Sequence, residues 1–600
     1  MKKYRYIRDM VLAGAFGLFA CNDDLLERAP LTSINNGNFW KTENDLKIYV
    51  NNFYNQVGLL PRYDGWFQAA NYSDDGNAGS DTQINVDYNR RLNGENTLPS
   101  SGGGWSSGSW SLLRDINYFM DHYRNVKVPW ENIKQYVGEA LFFHSIFYYD
   151  KLRTFGDVPW ASTVVYMDSE LLRSPRMPRN QVADSIMRNL DLAIDYLPAR
   201  GSGSWTGRVT KETALALQAR IALYEGTWER YHAKKNTPFK ANGSDGTKFI
   251  QKAADAAGAL ITLADANGYP ALDNVGVENG YWLLFNRKDY SNHKEVLLWR
   301  KYSLADGLKH NWIGATQDGN GQGLSKSMVD SYLCTDGKPI AVSTLYQGDK
   351  DLKTLVANRD PRLNQLLQVD DDAHVLCTEP TRVVFSTPTF GSGVNDDCVT
   401  GYQMYKGHTP IYTRGQASDS DEGLIYFRYA ETLLIYAEAK AELGTITQDD
   451  IDKTVNALRT RVDMTNGLLD INNITTDPNW EFAGLTPVLQ EIRRERKVEL
   501  ACEGFRVDDI FRWAAADELI VGKRPLGAPK AQWVNYPNAS ELFLNAVTTL
   551  PVNNEGYIDP YQAYPLVADG YHFNLGRDYL SPIPTNEIVL NPNLTQNPGW

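Results

Sequence analysis

A mostly α fold, an array of helical hairpins interrupted by long irregular loops and a few short strands, is what three features of the sequence predict. Apolar residues recur three and four apart over stretch after stretch, the period of a helix with one face turned inward. Short turns join these stretches, with Ala, Leu and Tyr on facing stripes, so consecutive helices pair as hairpins and the hairpins stack. The chain has 600 residues, enough to bury a large core.

Helical periodicity first runs over residues 39–57. It then stops: residues 61–110, including SSGGGWSSGSW at 100–110, are rich in Gly, Ser, Asn and Asp and carry no period. A loop that long inside a compact domain is usually functional. Helices resume over 112–126 and 130–155, where DINYFMDHY and EALFFHSIFYYDKL space aromatics three and four apart, and recur over 182–197, 211–229 and 249–266. Between 268 and 422, runs such as EVLLWRKY and RVVFST read as strands between turns, in a segment expected to pack on the helical array. RYAETLLIYAEAKAELG at 428–444 is a helix with Ala430, Leu433, Leu434, Ala437 and Ala441 on one face and Gly444 as its stop. Small residues on that face let a partner helix approach closely, and residues 449–462 and 489–513 are the candidates. After residue 513 the chain reads as mostly loop.

Within 489–513, Glu491, Glu495, Glu499 and Glu503 stand four apart. Like charges at that spacing destabilise a helix by roughly a few tenths of a kcal/mol per pair, so cations must neutralise the ridge. Arg494 and Arg496 reach back along the helix, and Arg428, Arg459, Arg461, Arg506 and Arg512 are available from elsewhere. A structural ion-pair network is the expectation, over a metal site or acid/base chemistry.

The first twenty residues form a separate unit. Lys2, Lys3, Arg5 and Arg8 precede the apolar run MVLAGAFGLFA, which is too short to span a bilayer: a signal peptide. It ends LFAC, which resembles a lipobox with Cys21 as the lipidated residue; acyl chains would then hold the protein on a membrane. Of the remaining cysteines, Cys334, Cys377, Cys398 and Cys502 allow three pairings that sequence does not choose among. One disulfide among the first three is expected, with Cys502 a buried thiol in a helix. None has zinc-ligand spacing. Net charge is −13, which argues against a nucleic-acid partner.

Catalytic signatures are absent: there is no GxSxG elbow, Walker loop, HExxH or helix-opening GxGxxG. DGNGQG at 318–323 has the first half of a calcium loop, with Asp318, Asn320 and Gly323, but Val329 stands where the bidentate Glu belongs, so it reads as a turn. Neither a metal nor a cofactor is expected. Of the eight histidines, only His293 and His310 fall in a binding-prone region, and each reads as a surface or core residue. What the chain does have is 34 Tyr and 15 Trp. Sugars offer apolar C–H faces and many hydroxyls, so a sugar site combines aromatic platforms with fixed polar groups. Trp66, Asp74, Asp75, Arg90, Arg91 and Trp105 supply that mixture in the first long loop; Tyr281, Trp282, Asn286, Arg287 and Trp312 repeat it later. Trp110 opens a helical pattern and reads as core.

RYAETLLIYAEAKAELG, NALRTR, EIRRERKVELACEGFRVDDIFRW and the closing YLSPIPTNEIVLNPNLTQNPGW resemble the RagB/SusD family of surface glycan-binding lipoproteins. FW at 39–40 with ENDL, and GEALFFHSIFYYDKLRTFGDVPW at 138–160, resemble its first half. The resemblance implies a tetratricopeptide-like (SusD-like) array and a division into a leader (1–20), an N-terminal helical region (21–267), an insertion (268–423) and a C-terminal region (424–600). It also implies non-catalytic capture of an oligo- or polysaccharide at the cell surface, and handover to a SusC-type TonB-dependent transporter in the outer membrane. Two other classes remain: an exported glycoside hydrolase with a carboxylate pair drawn from the loops, and a tetratricopeptide-type scaffold that binds peptide in its groove.

Overall fold

The computed structural model describes residues 39–600 except 57–78, 202–205, 275–278, 311, 394–395, 411–418, 483, 535 and 537–538. It is mostly helical, with only short strands. Helix α1 (Glu43–Gln56) leads to α2 (Ser111–His122), α3 (Trp130–Phe155), α4 (Arg179–Tyr196), α5 (Lys211–Lys234) and α6 (Thr247–Asn267). From α3 to α6 each helix packs on the next, as stacked hairpins require. Thr210 caps α5 by accepting from the Thr213 N–H. The α5–α6 crossing depends on Gly226: a Cβ there would lie 2.6 Å from the Ile250 backbone nitrogen.

Three antiparallel two-stranded ladders follow: β1 (Gln83–Asn85) with β3 (Gln322–Leu324), β2 (Val296–Arg300) with β6 (Leu424–Arg428), and β4 (Val375–Cys377) with β5 (Val383–Val384). The second ladder joins the 268–422 segment to the array, because β6 runs directly into α7 (Tyr429–Glu442) and Leu297 and Leu298 lie in the same core as the array helices. Tyr281, Trp312 and the residues around them form a second core.

The partners of α7 differ in part from those expected. It packs on α6, more than 160 residues earlier, and on α10 (Pro487–Glu499), with a lesser contact to the stretch that follows it. Gly258 of α6 faces the Tyr436 ring, so the small residues lie on both sides of the seam. Two stretches read as single helices are broken. Residues 449–462 divide at Thr454 into α8 (Gln448–Lys453) and α9 (Val455–Arg461), with the Thr454 hydroxyl donating to the Asp450 carbonyl. Residues 489–513 divide into α10 and α11 (Arg506–Arg512), where Cys502 and Gly504 both take positive φ. Cys502 is therefore a buried thiol in the break rather than in a helix. A further helix, α12 (Glu541–Thr549), capped by Ser540, lies where the sequence reads as loop.

The expected disulfide does not form. Cys334, Cys377, Cys398 and Cys502 are all free and buried. Cys334 bridges to Arg359, Cys377 lies on β4 and Cys398 sits beside Gln322, so the three belong to separate pairings. Residues 318–321 turn into β3 as read, with Asn320 at φ +53°.

The glutamate ridge is neutralised from several elements. Arg459 of α9 meets Glu495 at 2.9 Å; Arg362 meets Glu495 at 2.7 Å and Glu499 at 2.8 Å; Arg428 and Arg461 each meet Glu499 at 2.7 Å. Arg428 and Lys406 both reach Glu503 at 2.7 Å. Burial disfavours the Glu499 charge, but Arg461, Arg428 and Arg362 more than offset it and hold the carboxyl well below the usual carboxylate range. Arg506 and Arg512 serve a neighbouring network instead, on Asp81 and Glu438.

Candidate functional site

The aromatic spacing of α3 supports a large cleft. Phe147, Tyr148 and Phe155 project from that helix, and each backs one indole. Trp105 meets Phe155 edge-on at 4.9 Å, Trp110 meets Phe147 at 5.4 Å, and Trp160 stacks on Tyr148 at 4.1 Å and 28°. Trp105 and Trp110 also cross at 5.3 Å and 67°. Behind them Lys151 donates to the Gly104 carbonyl at 2.9 Å, which fixes the glycine turn before Trp105. His144 is held neutral: burial lowers its pKa to about 4, Nε2 lies 3.2 Å from the Ala161 carbonyl, and Nδ1 accepts from Asn189 at 3.0 Å.

These indoles form one wall of a cleft of about 810 Å³. The rest of the lining comes from two segments far apart in sequence, within residues 165–173 and the end of α13 (Thr585–Leu590) with Asn591 and Leu594. Asn591 donates to the Ser174 carbonyl at 3.0 Å and Asn593 to the Arg173 carbonyl at 2.7 Å, so the two segments are tied. Ser169 caps the short turn of helix between them and the cleft by accepting from the Leu171 N–H.

The polar groups of the cleft are unsaturated. Among the described residues, Arg114, Asp168, Glu170, Arg173 and Glu587 make no ion pair or side-chain hydrogen bond within the protein, although all line the cleft. Asn117 is buried; it donates to the Ala161 and Thr163 carbonyls at 3.2 and 2.9 Å, and its Oδ1 is left without a partner. The Trp110 Nε1 is likewise buried and unpartnered. Buried polar groups are normally hydrogen-bonded, so these two atoms are an unmet acceptor and an unmet donor beside the cleft.

Of the residues singled out from sequence, Trp105 borders this cleft but is 5% exposed and packed into the array core against Phe155 and Trp110, so it backs the wall rather than offering a face. Trp110 lines the cleft, half-buried at the mouth rather than in the core, because it stands at the helix end and not on its inner face. Trp66, Asp74, Asp75 and Cys21 lie outside the described residues. Arg91 places its guanidinium 4.7 Å over the Phe511 ring and donates to the Tyr579 carbonyl at 3.3 Å. Tyr281 and Trp312 are buried in the second core: the Tyr281 hydroxyl donates to the Glu499 carbonyl at 2.7 Å and accepts from Lys406 at 2.9 Å, which ties it to the ion-pair ladder. Trp282 is half-buried and stacks on Tyr405 at 5.2 Å and 13°. Asn286 donates to the His408 carbonyl and Arg287 pairs with Asp273. His310 is buried and His293 pairs with Asp273. Sequence reasoning missed Trp160 and the 165–173 segment; the available signal was MDSELL at 167–172, apolar residues with no helical or strand period.

Residues 299–600 match the SusD family, and residues 103–223 match a family described as starch-binding and associating with the outer membrane. The chain belongs to the SusD family. Two relatives from Formosa agariphila are SusD-like protein P2, 25% identical over the whole of both chains, and SusD-like protein P38, 23% identical over 87% of this chain and 94% of that one. A crystal structure of a SusD-like carbohydrate binding protein from Bacteroides fragilis superposes with a TM-score of 0.65 at 21% identity, covering 93% of this chain and all of that chain. Another SusD-like protein from the same organism gives 0.66 at 20% identity, covering 96% of this chain and all of that chain. SusD-like proteins are carbohydrate-binding and generally non-catalytic, and the family is associated with the outer membrane. Among the described residues no helix is long and apolar enough to cross a membrane, and no cluster of His, Cys, Asp or Glu is arranged to hold a metal.

Proposed function

We propose that this protein is a cell-surface, non-catalytic glycan-binding lipoprotein, anchored through Cys21, that captures oligo- or polysaccharide and delivers it to a SusC-type TonB-dependent transporter. The observation that carries the capture step is the cleft: the half-buried indoles of Trp110 and Trp160, backed by Trp105 and α3, beside five charged side chains without a protein partner and two orphaned buried polar atoms. Indole faces take sugar C–H surfaces, and the unpaired groups take hydroxyls that would otherwise lose their hydrogen bonds to water. Large aromatic platforms with few rotatable bonds are already in place, so little is lost in ordering them.

The test is a glycan-array screen of the chain carrying Cys21→Ser, followed by calorimetry on each hit with Trp105→Ala, Trp110→Ala and Trp160→Ala. Binding lost in one or more of these variants, with no turnover of the bound glycan, supports capture at the cleft. A hit unaffected by all three moves the site elsewhere, and turnover makes the protein a hydrolase. Co-purification of a TonB-dependent transporter with the lipidated chain tests delivery.

A further inference from the structure

The two walls of the cleft differ in chemistry. Trp110 and Trp160, both half-buried, suit a bare sugar ring, with Trp105 buried behind Trp110. The same cleft is lined by Met167, Leu171, Leu172, Leu590 and Leu594, which are aliphatic and come from the two tied segments. Several are largely uncovered: Met167 is 98% exposed, Leu590 75% and Leu172 51%. Asn591 and Asn593 hold these two apolar segments side by side, so the aliphatic wall is a fixed surface. A plain oligosaccharide fits this wall poorly. Its hydroxyls would be stripped of water against side chains that neither donate nor accept, at the cost of an unmade hydrogen bond each. The aliphatic wall asks for apolar ligand surface, while Asp168, Glu170, Arg173 and the Asn117 Oδ1 ask for hydroxyls.

We infer that the cleft recognises a saccharide bearing an apolar substituent, an acyl, alkyl or aryl group, with the sugar on the indole wall and the substituent on the aliphatic wall. The inference rests on the glycan reading of this cleft and specifies its ligand class. The substituent lies against Leu172 and Leu590 and the sugar against Trp160, so the two halves of the ligand are separable by mutation.

The experiment is titration calorimetry and tryptophan fluorescence on the full chain carrying Cys21→Ser. The probes are alkyl maltosides and alkyl galactosides from methyl to octyl, below micelle-forming concentrations, with the matching alkanols as sugar-free controls. Affinity should rise about fourfold for each methylene that enters the cleft until the wall is covered. Leu172→Ser and Leu590→Ser, both at exposed positions and so safe for folding, should flatten that rise and cost the octyl glycoside at least tenfold more affinity than the methyl glycoside. Trp160→Ala should weaken every glycoside in at least one series. Equal affinity for methyl and octyl members overturns the inference and leaves the glycan reading standing. Alkanols binding as tightly as the glycosides overturn both for this cleft. If the two serine variants instead reduce transporter co-purification and leave the series unchanged, the aliphatic wall is a protein contact and the inference fails.

Discussion

Glu499 and Glu170 are both carboxylates on well-formed elements, and their surroundings could hardly differ more. Glu499 is fully buried and meets Arg362, Arg428 and Arg461 at 2.7–2.8 Å. Glu170 lines the cleft and, among the described residues, pairs with nothing. The ladder has used up its charges within the protein, so it fixes β6, α9 and α10 relative to one another and has little left to offer a ligand. The cleft keeps its charges in reserve. The densest charge in this molecule thus lies where its partners are protein groups, and the cleft's charges face solvent.

The comparison is broken most severely at the ladder. Glu499→Ala leaves three buried guanidinium groups short of a counter-charge and should cost about 3–5 kcal/mol, measured by chemical denaturation. Acid should reach the same interior. Burial lowers His144, His310 and His408 to about 4 and His232 to about 3, whereas an unfolded histidine takes up its proton near pH 6.5. Below about pH 6.5 the unfolded chain thus binds protons that the folded chain refuses, and stability falls. Glu499 and Glu503, held low by their arginine and lysine partners despite burial, add a second loss once unfolded glutamates protonate below about pH 4.5. Glu229 and Glu422 oppose this, because burial raises them to about 8 and about 7 and their contribution is lost as pH rises. Four histidines outweigh two carboxyls, so urea midpoints should drop steadily between pH 6.5 and 4. A flat profile would mean that the histidines are hydrated in solution.

At the cleft the effects should be smaller and should appear in binding. Trp160→Ala should weaken a cleft-bound glycan about tenfold or more by calorimetry. Asp168→Asn should change stability by no more than about 0.5 kcal/mol, since it breaks no contact, yet alter glycan affinity about two- to tenfold. If Asp168→Asn proved as destabilising as a ladder variant, the contrast between the two regions would collapse.

Much of the scaffold was legible because helical period is a local property. The stretch read over 130–155 coincides with α3, and the glutamate ridge is met by Arg428, Arg459 and Arg461 as charge neutralisation requires. The breaks at Thr454 and Cys502 were not legible, because apolar period continues through both and only backbone angles mark them. Helix α12 was hidden between proline-rich neighbours. The cleft was half legible. Composition pointed to Trp105, Tyr281 and Trp312 alike, and tertiary packing draws all three into cores; only Trp105 also borders the cleft. Trp160 acquires its role only when α3 sets Tyr148 beneath it and α13 completes the lining.

The two asparagine ties have a further consequence. Asn591 and Ser174 are 417 positions apart, so their contact closes one of the longest loops in the molecule. Closing such a loop costs conformational entropy that neighbouring helices in the array do not incur among themselves. The wall of the cleft therefore exists only once both segments are in place, a tie that Arg176 strengthens through the Thr595 carbonyl and Asn597. A ligand spanning both walls then acts as a clasp, and occupancy of the cleft becomes a report that the distant ends of the fold have met.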